Sequence, residues 1–435
     1  MADLLKLSAD FIDNGVAPET PLAVNRINGE LSEIAHNVAM VEAFSHVVVL
    51  DSGDGLVLFD TSLEQFGPQI VKAIRGWRDA PVRMVCYTHG HIDHVGGCAA
   101  VMHDARERGD TRPQVIGHAN VAPRFHRYAK TNGYNAAINA RQFGGGRQRP
   151  GMLMGANADR FGPAEWVMPD TEFTDRMSCR CGGLHFEMRH DKGETDDHLW
   201  AWIPELKAVA VGDFLTWVFP NAGNPQKVQR FPAEWAQALR EMAALEPELL
   251  LPAHGLPIAG KARIAKVLDD IAGALEFLVE NTLKLMNDGA RLDTILHEVK
   301  LPQATLDKPY LRPVYDEPEF VVRNIWRLYG GWHDGNPARL KPPRDDAVAL
   351  ETAALAGGAD KLAARAKQLS DAGDHRLACH FAELAALADP GSHAVHAARA
   401  DVYEARMKTE MSLMARGVYG DASKTSRDKS GKNES

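Results

Sequence analysis

The sequence predicts an α/β domain, two sheets with helices outside them, followed by an all-α region. Three observations carry that expectation. Short β-branched runs recur through the first 250 or so residues and end beside glycine, proline or ligand-type side chains. One run leads directly into CYTHGHIDHVGG, Cys86 to Gly97, which holds His89, His91, Asp93 and His94 within six residues. After about residue 262 the apolar residues fall at helical spacing. From Asp346 to Leu387 alanine and leucine dominate, in helix-sized blocks broken by Gly357-Gly358 and Gly373.

Residues 1–35 carry few signals. SHVVVLDSGDGLVLFDTS, from Ser45, reads as two strands around a hairpin turn at Ser52-Gly53-Asp54-Gly55. A helix is expected over 67–78 and a strand over 82–87, with the histidine cluster at its C-terminal end, where α/β folds place ligand-bearing loops. Another strand is expected over 114–117. A loop-rich stretch then runs from 118 to 170 and includes GGGRQRPG at 144–151. Further strands are expected over 184–189, 199–203, 208–211 and 249–251. KARIAKVLDDIAGALEFLVENTLKLM opens the helical part, and the polar stretch from Ser423 is expected to be disordered. The expected domains are therefore 1–262, 263–422 and a tail over 423–435.

Composition narrows the function. The 435 residues are 45% hydrophobic and 25% charged, enough for a sizeable core. With 49 basic against 58 acidic residues, the net charge of −9 argues against a nucleic-acid partner. No basic region with a long apolar core opens the chain, so no secretory signal is expected. No run reaches the roughly 18 apolar residues of a membrane span. The five cysteines are too few and too oddly numbered for a disulfide framework, and Cys179 and Cys181 are too close for a zinc knuckle. Reduced packing cysteines and a cytoplasmic location are the expectation.

A His-x-His-x-Asp-His cluster on a tight loop points His89, His91 and Asp93 to one side with His94 beside them, a donor set suited to zinc and also to manganese or iron. Three further ligand-type residues stand at strand ends beside glycine or proline: Glu194 in GETDDH, Asp213 in VGDF and His254 in PAHG.

THGHIDHVGG, GETDDH, GDF and AHG, in this order and spacing, resemble the metallo-β-lactamase superfamily over residues 40–260. The resemblance implies an αβ/βα sandwich with a dinuclear site at one edge. It implies that His89, His91 and Glu194 hold the first metal, that Asp93, His94 and His254 hold the second, and that Asp213 bridges them; two zinc ions are expected, with manganese or iron as alternatives. Most of the superfamily has histidine where Glu194 stands. The alkylsulfatase branch has glutamate there and a second acidic residue nineteen positions later, where this chain has Asp213. LRPVYDEPEFVVRNIWRLYGGWHDGNPARLKPPRDDA, residues 311–347, resembles the start of the alkylsulfatase dimerisation domain, which implies an all-α dimerisation domain and a homodimer. The sterol-carrier-like domain of that branch has no counterpart in this sequence, an expectation that weighs against long-chain detergents.

The implied chemistry is hydrolysis, a metal-bound hydroxide attacking a sulfate ester or similar ester-like substrate, with Asp93 orienting the hydroxide and taking its proton. The substrate is expected to be small and anionic or amphipathic. The branch grips sulfate with a Tyr-Gly-Asn stretch and a later arginine. Here those positions correspond to Phe143-Gly144-Gly145 and to Asn224, while a tyrosine from the dimerisation segment corresponds to Tyr315. Arg147, Arg149 and Arg230, with Arg141 and Lys227, are candidates to rebuild an anion site, and Trp217 to form an apolar wall. The replaced gripping residues keep a lactone, a phosphodiester or a β-lactam open as the substrate. A diiron redox protein or a partner-binding scaffold is the reading from another class.

Overall fold

The computed structural model describes residues 3–15, 24–143 and 160–431. Its first sheet holds β1 (Leu31–Ala35), β2 (Val38–Val41), β3 (Val47–Asp51), β4 (Leu56–Phe59), β5 (Val82–Cys86), β6 (Gln114–His118) and β7 (Thr171–Phe173), laid side by side in chain order. Pairing is antiparallel from β1 to β4 and parallel from β4 to β7. The second sheet holds β8 (Arg176–Cys181), β9 (Leu184–His190), β10 (Leu199–Ile203), β11 (Ala208–Gly212), β12 (Leu249–Pro252) and β13 (Ile258–Ala259), also in order. Only β11 and β12 run parallel there.

The unbroken apolar runs of β3 and β4 are explained by burial on both faces. Side chains alternate across a strand. Val48, Leu50, Val57 and Phe59 therefore enter one core with Phe186, Met188 and Trp200 of the second sheet. Val47, Val49, Leu56 and Leu58 enter another core. That second core is closed by Ile70 and Ile74 of a helix at Gly67–Trp77, Val101 of a helix at Cys98–Arg108, and Phe125. The fold is an αβ/βα sandwich followed by helices, as expected.

The helices, in order, are α1 (Leu4–Asn14), α2 (Gly67–Trp77), α3 (Ile92–Val95), α4 (Cys98–Arg108), α5 (Val121–Lys130), α6 (Asn132–Gln142), α7 (Pro232–Ala244), α8 (Lys261–Asn287), α9 (Leu292–Glu298), α10 (Gln303–Leu306), α11 (Pro318–Gly330), α12 (Asp345–Ala356), α13 (Ala359–Asp371), α14 (His375–Ala388), α15 (His393–Thr409) and α16 (Leu413–Lys429). α5 and α6 occupy part of the stretch expected to be loop. Pro123 reads as a helix breaker, but it falls in the first turn of α5, where no backbone donor is lost.

Two compact units divide the described chain. The first takes residues up to 136 and from 160 to 329; the second takes 137–143 and 330–431. The compact units are not divided at 262, where helical spacing begins. Ile264, Leu268, Ile271 and Leu275 of α8 and Val321, Val322 and Ile325 of α11 belong to the same buried cluster as the strands. The second unit stacks α12 to α16 as helical hairpins.

The stretch from Ser423 is not disordered up to Lys429 but completes α16. One face of it is buried, while Lys424, Thr425, Asp428 and Lys429 stay exposed. Buried Ser423 donates to Ala400 O at 3.0 Å, and Arg399 Nη1 donates to buried Ser426 Oγ at 2.6 Å. Among the described residues, no helix is long and apolar enough to cross a membrane. All five cysteines are free.

Candidate metal centre

Every residue of the expected ligand set follows the C-terminal end of a strand. His89 and His91 lie just after β5, with Asp93 and His94 on α3. Glu194 follows β9, Asp213 follows β11 and His254 follows β12. Two sheets thus deliver seven side chains to one edge of the sandwich, all from the first unit.

The geometry at this edge is tight. His254 Nε2 lies 3.3 Å from Asp93 Oδ2 and 3.6 Å from Asp213 Oδ1. His94 Nε2 lies 3.4 Å from Asp213 Oδ2 and 3.6 Å from Asp93 Oδ2. Ligand atoms held at tetrahedral angles around zinc stand about 3.3–3.6 Å apart, the range in which these four separations fall. Nearby, His89 Nε2 and His91 Nδ1 are 2.9 Å apart, His91 Nδ1 is 3.5 Å from Glu194 Oε1, and His89 Nε2 is 3.9 Å from Asp213 Oδ2. Two threesomes have ligand atoms all within 4.8 Å: Asp93–His94–His254 and His89–His94–Asp213. Glu194 joins through His91 rather than as a member of either threesome.

His94 shows why a cation fits. Its Nδ1 pairs with Asp60 Oδ2 at 2.7 Å, which leaves Nε2 to present a lone pair. That Nε2 is buried and has no hydrogen-bond partner, and neither has Asp213 Oδ1. Each such orphan costs on the order of 1–3 kcal/mol unless something fills the gap. Charge points the same way. Burial opposes the charged form of His94, yet Asp213, Asp60 and Asp93 outweigh it and raise its pKa well above the usual histidine value. His254 behaves alike: burial is overcome by Asp213 and Asp93. Burial resists ionisation of Asp213 too, but His94 and His254 hold its carboxyl below the ordinary range. These carboxylates draw positive charge inward, and a divalent cation would supply it. His89 and His91 lie deep enough that burial first, and neighbouring cations second, push them well below the usual value, so both stay neutral. Neutral imidazole is the form that binds metal.

Supporting side chains complete the site, and most were not apparent in the sequence. Asp60, at the end of β4, accepts from Thr88 N and Thr88 Oγ1, both at 2.7 Å, while it holds His94. The DDH of GETDDH also has a place. Asp197 accepts from Gly90 N at 3.0 Å and from Arg124 Nε at 2.7 Å. His198 Nε2 accepts from Asp213 N at 3.2 Å, and its ring stacks on Phe214 at 4.1 Å. Glu194 is gripped by Asn221 and Arg230. Arg230 donates to Glu194 O at 2.5 Å and to Oε1 at 3.2 Å, and Asn221 Nδ2 donates to the same Oε1. Burial, then Asp213 and Asp93, still push the Glu194 carboxyl up to about 8 against the pull of Arg230. The loop carrying Asn221 and Arg230 is fastened to α11. Asn324 donates to Ala222 O and Arg230 O, both at 2.9 Å, and accepts from Gln229 Nε2 at 2.7 Å. Asp316 holds Gly223 N at 2.6 Å and Asn224 N at 3.1 Å.

The expected substrate contacts fare less well. Arg230 is buried and donates to Glu194, an expected metal ligand. Trp217 is 1% exposed, donates to Leu256 O at 2.8 Å and meets Phe11 edge-on, so it is core. Its φ of 56° is strained for a bulky residue and places the ring where any Cβ on Gly255 would lie 2.3 Å from it. Phe143 closes α6, its N–H donating to Asn139 O at 2.9 Å, and belongs to the second unit. Arg147 and Arg149 lie outside the described residues. Asn224 accepts from Gln226 N at 3.2 Å through its side chain and shapes the loop. Tyr315 and Lys227 are half-buried. Burial and then the Glu194 charge push the Tyr315 phenol well above its usual range, while burial and then Arg230 bring the Lys227 amine down to about 7.

Known proteins frame these observations. A profile described as the metallo-beta-lactamase superfamily matches residues 41–254, and one described as alkyl sulfatase dimerisation matches residues 291–429. A linear primary-alkylsulfatase from a Pseudomonas species is 24% identical over 78% of this chain and 66% of its own length. An alkyl/aryl-sulfatase from Saccharomyces cerevisiae is 24% identical over 88% of this chain and 61% of its own. The chain thus spans less than two thirds of these curated relatives. The solved structure of a stereoselective inverting sec-alkylsulfatase from Pseudomonas superposes with a TM-score of 0.81, at 22% identity, over 99% of this chain and 71% of that one, a likeness of fold.

Proposed function

From a chain that joins a metallo-beta-lactamase superfamily domain to an alkyl sulfatase dimerisation domain, we propose a dinuclear metal-dependent hydrolase of the alkylsulfatase type. It would cleave a sulfate ester, or a similar ester-like bond, in a small anionic or amphipathic substrate. The orphaned Nε2 of His94, fixed from behind by Asp60 and facing two carboxylates, carries the reading.

Asp93, His94 and His254 would hold one cation and His89, His91 and Glu194 the other, with Asp213 between them; zinc suits the donors, and manganese or iron are the alternatives. Such cations would lower the pKa of a shared water toward neutrality and offset charge developing on the ester oxygens. Asp93, 3.3 Å from His254 and 3.6 Å from His94, would take the proton that the attacking water gives up. Arg230 and Asn221 hold Glu194 in place rather than meeting substrate. Tyr315 and Lys227, both of which feel the charge of Glu194, are candidates to meet the substrate's polar group, together with Arg147 and Arg149, which lie outside the described residues. The dimerisation profile and the exposed Leu350 and Leu355 of α12 support a homodimer.

Purified, zinc-loaded protein is expected to release free sulfate from a short alkyl sulfate, and His91→Ala to abolish the release. Turnover of a lactone or a bis-phosphodiester with no sulfate release would move the assignment to another ester. Two iron atoms per chain with no hydrolysis of any of these substrates would replace it with redox chemistry.

A further inference from the structure

We propose that Asp197, braced by Arg124, is a positioning residue that fixes the His89–His91 turn for metal binding; the proposal rests on the metal-centre reading. Gly90 is the residue between those two ligands, and its N–H donates to Asp197 Oδ2 at 3.0 Å. Asp197 is fully buried. Its second oxygen accepts from Thr195 Oγ1 at 2.5 Å, and Arg124 Nε donates to Oδ2 at 2.7 Å. Arg124, 3% exposed on α5, also reaches Asp196. Two residues more than 100 positions apart along the chain thus meet at one backbone amide.

The contact leaves no slack. A Cβ built on Gly90 would stand 2.8 Å from Asp197 Oδ2 and 2.9 Å from Arg124 Cδ, so glycine is required for the carboxylate to come this close. A buried ion pair is a poor source of stability, because desolvation offsets most of the attraction. What this pair does provide is a fixed acceptor for one peptide group. The peptides on either side of Gly90 set where both imidazoles point. With the amide tethered, the two rings arrive already placed, and the cation need not order them. Burial resists the charge on Asp197, but Arg124 and Thr195 hold its pKa below the usual carboxylate value, so it stays an acceptor at neutral pH.

The test compares zinc affinity, by chelator competition, and the visible spectrum of the cobalt-substituted protein. Asp197→Ala is expected to weaken zinc binding about 10- to 100-fold and to alter the cobalt spectrum, as loss of a group that orients ligands does. Asp197→Asn keeps an oxygen acceptor for the Gly90 amide and is expected to recover most of the affinity. Gly90→Ala pushes the carboxylate away without removing it and is expected to reproduce the Asp197→Ala loss; it also serves if Asp197→Ala does not fold. Wild-type zinc affinity and cobalt spectrum in folded Asp197→Ala or Gly90→Ala would overturn the positioning role, as would Asp197→Asn binding as weakly as Asp197→Ala. A wild-type protein that binds no zinc would overturn the metal centre itself, and the positioning role with it.

Discussion

The two compact units use their polar and apolar side chains in opposite ways. In the first unit the core holds Trp200, Trp235, Phe186 and Phe214, while buried atoms such as His94 Nε2 and Asp213 Oδ1 have no protein partner. In the second, the buried side chains are largely alanines, among them Ala353, Ala366, Ala382 and Ala385, and the larger Leu350, Leu355 and Leu377 face outward, with Leu355 90% exposed. Its charged groups are paired: Arg399 with Glu383 and Ser426, and Arg427 with Asp401 and Glu404. A unit with unmatched lone pairs inside is built for a small ligand. Exposed apolar side chains beside paired charges are the surface character found where chains pack together.

The sharpest break of this contrast is chemical. His94→Ala removes the lone pair that both carboxylates face, and hydrolysis is expected to fall on the order of 1,000-fold, measured with zinc in excess. Leu355→Glu, in the second unit, should leave the zinc content of the protein unchanged and instead alter its sedimentation. The next effect concerns packing. Trp235→Ala, in α7, is expected to cost about 3–5 kcal/mol in urea unfolding, more than any single truncation among the alanine-rich helices.

A third prediction uses pH. Burial, and then the charge of His254, lower the His46 pKa to about 3, whereas the unfolded chain keeps the usual value near 6.5. The unfolded state therefore binds the proton first as pH falls. Stability should be level above pH 6.5 and drop between 6.5 and 3, by up to about 1.4 kcal/mol per pH unit. Zinc-free protein carrying His46→Asn should show a shallower acid limb; an unchanged limb would assign the loss elsewhere. Fourth, Gly417→Ala in α16 places a Cβ 1.7 Å from Gln142 O, and about 1–3 kcal/mol of destabilisation is expected in thermal melts. The smallest effect is Ser426→Ala, about 1 kcal/mol; no effect would mean that this end of α16 adds nothing.

The same contrast governs what was legible in the sequence. The metal ligands could be read because each sits in a short motif beside glycine or proline, and His89, His91, Asp93 and His94 cluster within one loop. β3 to β6 and β9 to β12 could be read from their apolar runs, with ends shifted by a residue, as at Val82–Cys86, while β1, β2, β7, β8 and β13 were not expected. Asp60 and Arg124 could not be read, because a lone aspartate or arginine carries no local sign of a partner tens of residues away. Asp197 and His198 stood inside a motif already noted, and that was the signal available for them. The burial of Trp217 and Arg230 was not legible, because residue type suggested a pocket while burial is decided by tertiary packing. Helical periodicity reports local shape, not which core a helix joins, so the sequence did not reveal that α8 and α11 pack into the first core.

The fastening of α11 has a mechanical consequence. Asn324 clasps the backbone of Arg230, and the guanidinium of Arg230 grips Glu194. A helix that contributes no ligand is thereby geared to one. The polypeptide passes from α11 straight into the helical unit at Gly330. Any change in the seating of α11 would therefore reach Glu194 through Asn324 and Arg230, two hydrogen bonds away from a helix that offers no ligand of its own.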